Sequence, residues 1–561
     1  VPTAQRGDCY GRAVVRVELG GTRVTGLSLR YDVRQWSPTG DTHPPLAQGE
    51  ATVQGVEPTL TLNLPGAPLW SPEAPNLLVL RLSLRAAGRV VDEWETRFGL
   101  RRLEIRGNDF YLNGRRFFLR GYGDDCTLPR ELVPPADRDY WRRYLSLRRE
   151  FGFNGVRHHS MMPPEAYLSA ADEVGMFVQP ELPIAYQPFF DRSTDAGKDL
   201  YRQVWRDYIR QMRNHPSVFA WCMGNELWNG FPLGPELYEA AEKLDPTRPV
   251  IDTDGIPVTD RPTLDYLSVQ FAEHTIPWGA NRGKYRLAKP APKPVLVHEM
   301  SNLCTLPDPT TIGRYTGPIL AFWPQTMRDR YACPVIPFWL QTMRDRVAER
   351  RLSGLLPAML DASHRFQARL LQLNLEAARL SPEIDGYHQW LFRDYWTQSS
   401  GFVDQFDALR KLTPEFARRF NGPAALLLDA DRASFRSGEA IPVRLFVSDF
   451  REQTDAPWDK VTVRCGGTKV RLTPPDDRTG PGLLGPWTGT VVAPNVKAPT
   501  RLRLTAMAGE IRNEWPMWIF PPTPLEVTDA DRKLIIGQLS AAALREVDQG
   551  AARLLVNVEG L

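Results

Sequence analysis

The sequence predicts a multidomain protein built on a (β/α)8 barrel and flanked by β-sandwich domains. Three observations lead there. The chain has 561 residues, more than one hydrophobic core serves. Apolar and polar residues alternate over 1–105 and again over 422–522, whereas short apolar runs alternate with helical stretches between them. The runs in the middle number eight, the count that closes a parallel barrel.

The first segment carries Ala13-Val-Val-Arg-Val-Glu-Leu, Thr59-Leu-Thr-Leu-Asn-Leu and Leu78-Val-Leu-Arg-Leu-Ser-Leu, separated by Gly and Pro. Period-two alternation with such punctuation predicts a β-sandwich. From residue 106 to 421 the rhythm is that of the barrel. Its strand candidates are Arg116-Phe-Phe-Leu-Arg-Gly, Gly155-Val-Arg-His-His, Met176-Phe-Val-Gln-Pro, Val218-Phe-Ala-Trp-Cys-Met, Pro249-Val-Ile-Asp-Thr, Leu264-Asp-Tyr-Leu-Ser-Val-Gln, Pro294-Val-Leu-Val-His and Gly386-Tyr-His-Gln-Trp-Leu-Phe. Helices are predicted over 137–150, 164–174, 200–213 and 235–244. Phe322-Trp-Pro-Gln-Thr-Met-Arg-Asp-Arg recurs almost unchanged as Phe338-Trp-Leu-Gln-Thr-Met-Arg-Asp-Arg. Two copies make no solenoid, so they read as a local duplication or a stretch assigned twice, in an extended seventh loop.

Residues 422–522 return to alternation, as in Ile441-Pro-Val-Arg-Leu-Phe-Val and Thr500-Arg-Leu-Arg-Leu-Thr-Ala, and predict a second sandwich. After a Pro521-Pro-Thr-Pro linker, a helical stretch at 529–549 precedes the strand-like Ala552-Arg-Leu-Leu-Val-Asn-Val. One helix and one strand bury no core, so 523–561 reads as the start of an incomplete α/β unit. With Val1 in place of an initiator Met and no signal peptide, the chain reads as part of a longer protein lacking its natural N-terminus. The compartment is left open between the cytoplasm and the secreted or periplasmic space.

The composition is 42% hydrophobic and 24% charged, with net charge +3, which argues against nucleic acid as a partner. No apolar run reaches bilayer-spanning length, so no membrane association is expected. A homo-oligomer is compatible with the sequence. Cys9, Cys126, Cys222, Cys304, Cys333 and Cys465 are scattered without metal-ligand spacing and read as mostly free, buried thiols.

Two glutamates carry the chemistry. Glu226 ends Val218-Phe-Ala-Trp-Cys-Met-Gly-Asn-Glu, and Glu299 ends Lys293-Pro-Val-Leu-Val-His-Glu. A carboxylate at the end of a buried strand needs a partner or a job. At strands four and seven of eight, both point into one barrel mouth. Two carboxylates across such a gap are the equipment for cleaving a glycosidic bond.

Trp70-Ser-Pro-Glu-Ala-Pro-Asn, Arg97-Phe-Gly-Leu-Arg, Phe110-Tyr-Leu-Asn-Gly-Arg, Phe153-Asn-Gly-Val-Arg, Asn214-His-Pro-Ser-Val and Gly224-Asn-Glu resemble, in this order, glycoside hydrolase family 2, the family of β-galactosidases, β-glucuronidases and β-mannosidases. The resemblance covers about residues 65 to 416 and implies a retaining exo-β-glycosidase with an immunoglobulin-like domain before the barrel. It also implies Glu226 as acid/base, Glu299 as nucleophile, Asn225 as a partner of the sugar 2-hydroxyl and Arg157 as a cation beside the nucleophile. For Arg157 a buried salt bridge inside the barrel is an equal alternative, and both can hold. Trp390 resembles the aromatic floor of the sugar site, with core packing as its alternative.

His158, His159 and His298 cluster near the strand ends, as hydroxyl binders or as structural histidines. A metal site is not expected there, because no acid or cysteine completes a ligand set. Asp394, Asp252, Asp254, Tyr266 and Gln270 are further candidates near the mouth. The resemblance implies no cofactor. The nucleophile context His298-Glu-Met-Ser-Asn lacks the family's Glu-Tyr pair, and the Asn-x-Lys element of its glucuronidases has its nearest match, Asn281-Arg-Gly-Lys, in another loop. The expected substrate is a terminal β-linked sugar on an oligo- or polysaccharide or a small glycoside: a β-galactoside first, a β-glucuronide or other uronide second. The reading of another class is an inactive carbohydrate-binding protein.

Overall fold

The computed structural model describes residues 11–522 apart from 21–24, 41–42, 127, 132, 187–189, 229, 256–260, 272–284, 286, 288–290, 302, 315–334, 396–397, 453–456 and 477–479, and beyond them 535–536 and 554–555. The strands at the barrel's centre are β1 (Leu119–Asp124), β2 (Gly155–His158), β3 (Phe177–Gln179), β4 (Trp221–Cys222), β5 (Val250–Ile251), β6 (Leu267–Val269), β7 (Val295–Met300) and β8 (Gly386–Gln389). Six form one parallel sheet in the order β3-β2-β1-β8-β7-β6, and β4 pairs in parallel with β5. Single bridges Val178↔Val218 and Glu181↔Cys222 join β3 to β4, and Ile251↔Leu264 joins β5 to the segment entering β6. The ring thus closes through all eight runs.

One run is shifted. Arg116 belongs to a small antiparallel meander, Leu103–Arg106, Asp109–Leu112 and Arg115–Arg116, and β1 starts only at Leu119. The cause is the Asn113-Gly114 turn, with φ of 52° and 80°, the pair of left-handed residues that a two-residue hairpin demands. The meander sends Phe110 into the barrel core against Phe219 and Tyr266, with ring centroids 5.4 and 5.5 Å apart.

The helices α1 (Arg138–Glu150), α2 (Glu165–Val174), α3 (Asp195–Met212) and α4 (Gly234–Leu244) stand close to the predicted spans. Asp137 caps α1 by accepting from Asp139 N. Thr194 caps α3 in the same way, which is why α3 starts five residues before the predicted 200. After β7 come α5 (Val335–Glu349), which holds the second copy of the repeated segment, then α6 (Leu356–Leu380) and, after β8, α7 (Pro414–Asn421). The first copy, 322–330, lies outside the described residues.

Before the barrel, a four-stranded antiparallel sheet and the pair Arg12–Arg16 with Thr59–Asn63 share a core that includes Leu29, Val33, Leu62, Leu80 and Phe98. After it, a four-stranded and a five-stranded sheet enclose Leu426, Leu445, Trp458, Trp487, Leu504 and Trp515. This second unit is tied to α6: buried Glu376 accepts from Trp515 Nε1 at 2.8 Å and Asn513 Nδ2 at 2.7 Å. Of the span expected to be helical, 529–549, only Ile535–Ile536 is described, and it is a strand paired in parallel with Leu554–Leu555. Two adjacent β-branched isoleucines favour pairing over a helix. The rest of that segment lies outside the described residues.

Candidate active site

Glu226 follows β4, and its backbone N–H donates to Asp254 O at 2.8 Å. Glu299 lies in β7, where the ladder with β8 shifts register between Val297 and Met300. Both glutamates have left-handed backbone, φ 52° and 41°. One carboxylate oxygen of each and a ring nitrogen of His298 lie within 4.8 Å of one another. The two side chains keep 16% and 21% of their surface exposed, whereas Arg157, Glu181, Asp254 and His298 around them keep none.

Arg157, at the mouth end of β2, organises the floor. Its Nη1 donates to Glu299 Oε1 at 3.0 Å, Nε to Glu181 Oε1 at 2.7 Å and Nη2 to Asn225 Oδ1 at 2.5 Å. Asp254 Oδ2 lies 3.2 Å from Nε. Both alternatives for Arg157 therefore hold: it is a buried salt bridge and a cation beside Glu299. Burial pushes the Glu299 carboxyl up, but the charges of His298 and Arg157 outweigh it and hold the group below the usual carboxylate value. Asn225 Nδ2 is buried with no hydrogen-bond partner among the described residues, an amide donor left over while its carbonyl is held by Arg157.

His298 donates from Nδ1 to Asp254 Oδ1 at 2.6 Å, and Nε2 sits 3.4 Å from Glu299 Oε1 and 3.8 Å from Glu226 Oε1. Asp254 also accepts from Gln179 Nε2 and Ser268 Oγ. Trp390 is 7% exposed, and its ring centroid lies 5.2 Å from that of His159. A Cβ on Gly123 would come within 2.2 Å of the indole, so β1 needs glycine there to admit it. His159 pairs with Asp125 at 2.7 Å; burial disfavours its charge, but the hydrogen bond to Asp125 raises its pKa above the usual value.

Other candidates point elsewhere. Asp394 is a correction: its carboxylate is taken up by Arg410, by Gly401 N at 2.9 Å and by Ser399 Oγ at 3.1 Å, so it ties a loop rather than offering an oxygen to a ligand. Asp252 is held by Arg261 and Thr263. Tyr266 lies inside the barrel and donates to Gln179 Oε1 at 2.6 Å, and Gln270 is exposed. His158 turns away from Glu299, its Nδ1 3.4 Å from Cys126 Sγ and its ring against Tyr167. The expectation that no acid or cysteine accompanies the histidines is also corrected, since donor atoms of Asp124, Cys126 and His158 lie within 4.8 Å. Cys126, Cys222, Cys304 and Cys465 are free, as expected; Cys9 and Cys333 lie outside the described residues.

Sequence reasoning missed four residues. Glu181 and Gln179 complete the floor, and Glu181 carried the readable signal, an acid closing the run Met176-Phe-Val-Gln-Pro. Tyr186 and Trp228 follow the third and fourth strands and are 43% and 54% exposed, aromatic surface at the rim; the Tyr186 hydroxyl feels the charge of both Glu226 and Glu299. Trp228 is anchored by Nε1 to Gly255 O at 3.1 Å.

The pattern described as "Glycosyl hydrolases family 2, TIM barrel domain" matches residues 103–301, and "Glycosyl hydrolases family 2" matches 4–101. A putative β-glucuronidase of Formosa agariphila is 29% identical over 230 residues, 39% of this chain and 21% of that protein. A β-galactosidase of Thermoanaerobacter pseudethanolicus is 30% identical over 182 residues, 32% of this chain and 24% of its own length. The chain thus spans about a quarter or less of these curated relatives. A putative β-galactosidase from Bacteroides fragilis has a similar fold, with TM-score 0.55 at 17% identity over 94% of this chain and 74% of that one. From the ordered motifs, the closed barrel and these two consecutive matches, the chain belongs to glycoside hydrolase family 2.

Proposed function

We propose that the chain is the catalytic part of a retaining exo-β-glycosidase. The observation that carries the reading is the carboxylate pair. Oxygens of Glu226 and Glu299 approach within 4.8 Å, in keeping with the ~5–5.5 Å carboxyl separation of double displacement and short of the ~6.5–9.5 Å that leaves room for a water. Only Glu299 is bonded to the Arg157 guanidinium, which suits a nucleophile that must stay ionised. Glu299 attacks the anomeric carbon while Glu226 protonates the leaving oxygen. Glu226 then takes a proton from water as it opens the glycosyl ester. Asn225 Nδ2 is the donor for the 2-hydroxyl, and Trp390 is the apolar floor.

For the sugar, a β-galactoside is our first reading and a β-glucuronide the second. Among the described residues, Arg157, His298 and His159 are each engaged with a carboxylate of the protein, which favours a neutral sugar. The names of the relatives support both. A panel of 4-nitrophenyl β-glycosides, with galactoside, glucuronide, galacturonide and mannoside side by side, tests the reading. Hydrolysis of none, by a folded chain, would overturn it in favour of a binding protein.

A further inference from the structure

The His298 ring reaches toward both carboxylates. Nδ1 faces Asp254 at 2.6 Å, and Nε2 faces Glu299 and Glu226 at 3.4 and 3.8 Å without a well-formed hydrogen bond. A carboxylate oxygen only accepts, so a ring nitrogen facing one must carry a proton. Here both nitrogens face carboxylate oxygens. The neutral ring would turn a lone pair either onto Asp254 or onto Glu299. With both of these ionised, only the doubly protonated ring presents a proton to each.

We propose that His298 is a positioning residue held as an imidazolium, a fixed cation shared by Glu299 and Glu226 and anchored from behind by Asp254. This deepens the glycosidase reading and rests on it for the roles of the two glutamates. The anchor is rigid. Asp254 is fully buried and accepts on one oxygen from Ser268 and on the other from Gln179, beside Arg157. Gly255 makes the space: a Cβ there would stand 2.4 Å from Nε2. The charged and titratable groups around the ring are Arg157 from β2, Glu226 after β4, Asp254 after β5, Glu299 from β7 and His388 from β8. His388, buried to a pKa of about 3, stays neutral, so three carboxylates face the ring against one guanidinium. Burial and Arg157 oppose its charge, Glu299 and Asp254 favour it, and the balance carries His298 up to about 9.

A shared cation does two things that Arg157 does not. It steadies Glu299 from a second direction, and it reaches toward Glu226, so negative charge appearing on Glu226 as it gives up its proton meets a cation already in place. The cation serves both carboxylates in turn without moving.

The test has two arms. In the first, the chain labelled with nitrogen-15 at its eight histidines is titrated by NMR, with His298→Asn assigning the signal. The expected result is both ring nitrogens of His298 protonated at pH 7, with deprotonation near pH 9. A neutral ring at pH 7 overturns the proposal, and this readout stands whether or not any glycoside is cleaved. In the second, pH profiles of kcat/KM are compared. His298→Asn keeps a donor toward Asp254 and removes the reach to the glutamates; His298→Gln puts a neutral donor near the Nε2 position. In both, loss of the cation moves the acidic limb up by about one pH unit, a tenfold loss below it. A folded variant with an unmoved limb overturns the proposal, as does a shift in His298→Asn that His298→Gln abolishes, which would make a hydrogen bond, not charge, the agent. If no glycoside is cleaved at all, the glycosidase reading falls and the first arm still decides the state of His298.

Discussion

Arg157 Nη1 stands 3.0 Å from Glu299 Oε1, while the same guanidinium fork holds Glu181 and Asn225. Arg157→Gln should therefore fail twice. It leaves Glu181 and Asp254 buried without their cation, a loss of about 3–5 kcal/mol of stability. It also frees Glu299 to bind a proton more readily, so the acidic limb of activity moves to higher pH. Arg157→Lys keeps charge without the fork and should recover part of the stability but little of the activity. Thermal melts and pH profiles of the two variants check this; equal melting of wild type and Arg157→Gln would count against the network.

Glu299→Ala should lower turnover by several orders of magnitude, and azide should restore cleavage by attacking the anomeric carbon from the vacated side. The product is then an α-glycosyl azide. Glu226→Ala should still form the glycosyl ester from a substrate with a good leaving group, and azide should release it as the β-azide. Product configuration by NMR decides. A reversed pattern exchanges the two roles.

Trp228 offers its ring at the rim, beside Glu226, with 54% of its surface exposed. An aromatic contact of about 0.5–1.5 kcal/mol corresponds to a roughly 2- to 10-fold change in binding. Trp228→Ala should raise KM by that factor for nitrophenyl glycosides and leave the methyl glycoside nearly unchanged. Equal effects on both would place the ring over the sugar instead of the leaving group.

Asp385 lies at the bottom of β8, accepting from Val295 N at 3.0 Å, and burial pushes it up to about 8 from an ordinary 3.8. The native state thus keeps a proton that the unfolded chain releases between pH 4 and 8, and stability falls as pH rises through that window. Asp385→Asn removes the effect. Its melting temperature should match wild type near pH 4 and exceed it at pH 8 by on the order of 3 °C. A constant offset across the window would sink the assignment.

What was legible follows from how local each signal is. The barrel runs are contiguous and apolar, and the two glutamates stand where such runs stop, so the fold and the pair could be read directly. The start of β1 was misplaced because Phe117 and Phe118 are as apolar as a strand, while the Asn113-Gly114 hairpin is what sets the boundary. Asp394 looked available because its partner, Arg410, comes sixteen residues later across a loop. Asp254 and His298 were candidates singly. Their pairing depends on two strands meeting in space, which periodicity does not encode. Trp228 and Tyr186 lie in loops, where no periodicity marks them, and only the fold leaves them exposed near the mouth.

The left-handed backbone at Glu226 and Glu299 bears on how heat-resistant such a chain can become. Side chains with a Cβ tolerate φ near 50° at a penalty of about 1 kcal/mol or more that glycine escapes. Of the ten non-glycine residues described with left-handed backbone, these two are the proposed catalytic pair: glycine would suit the chain path there, and on that proposal it would end the chemistry. On the proposed roles, selection for tougher folding alone would erode the site from its centre, and selection for turnover keeps the two carboxylates where the backbone resists them.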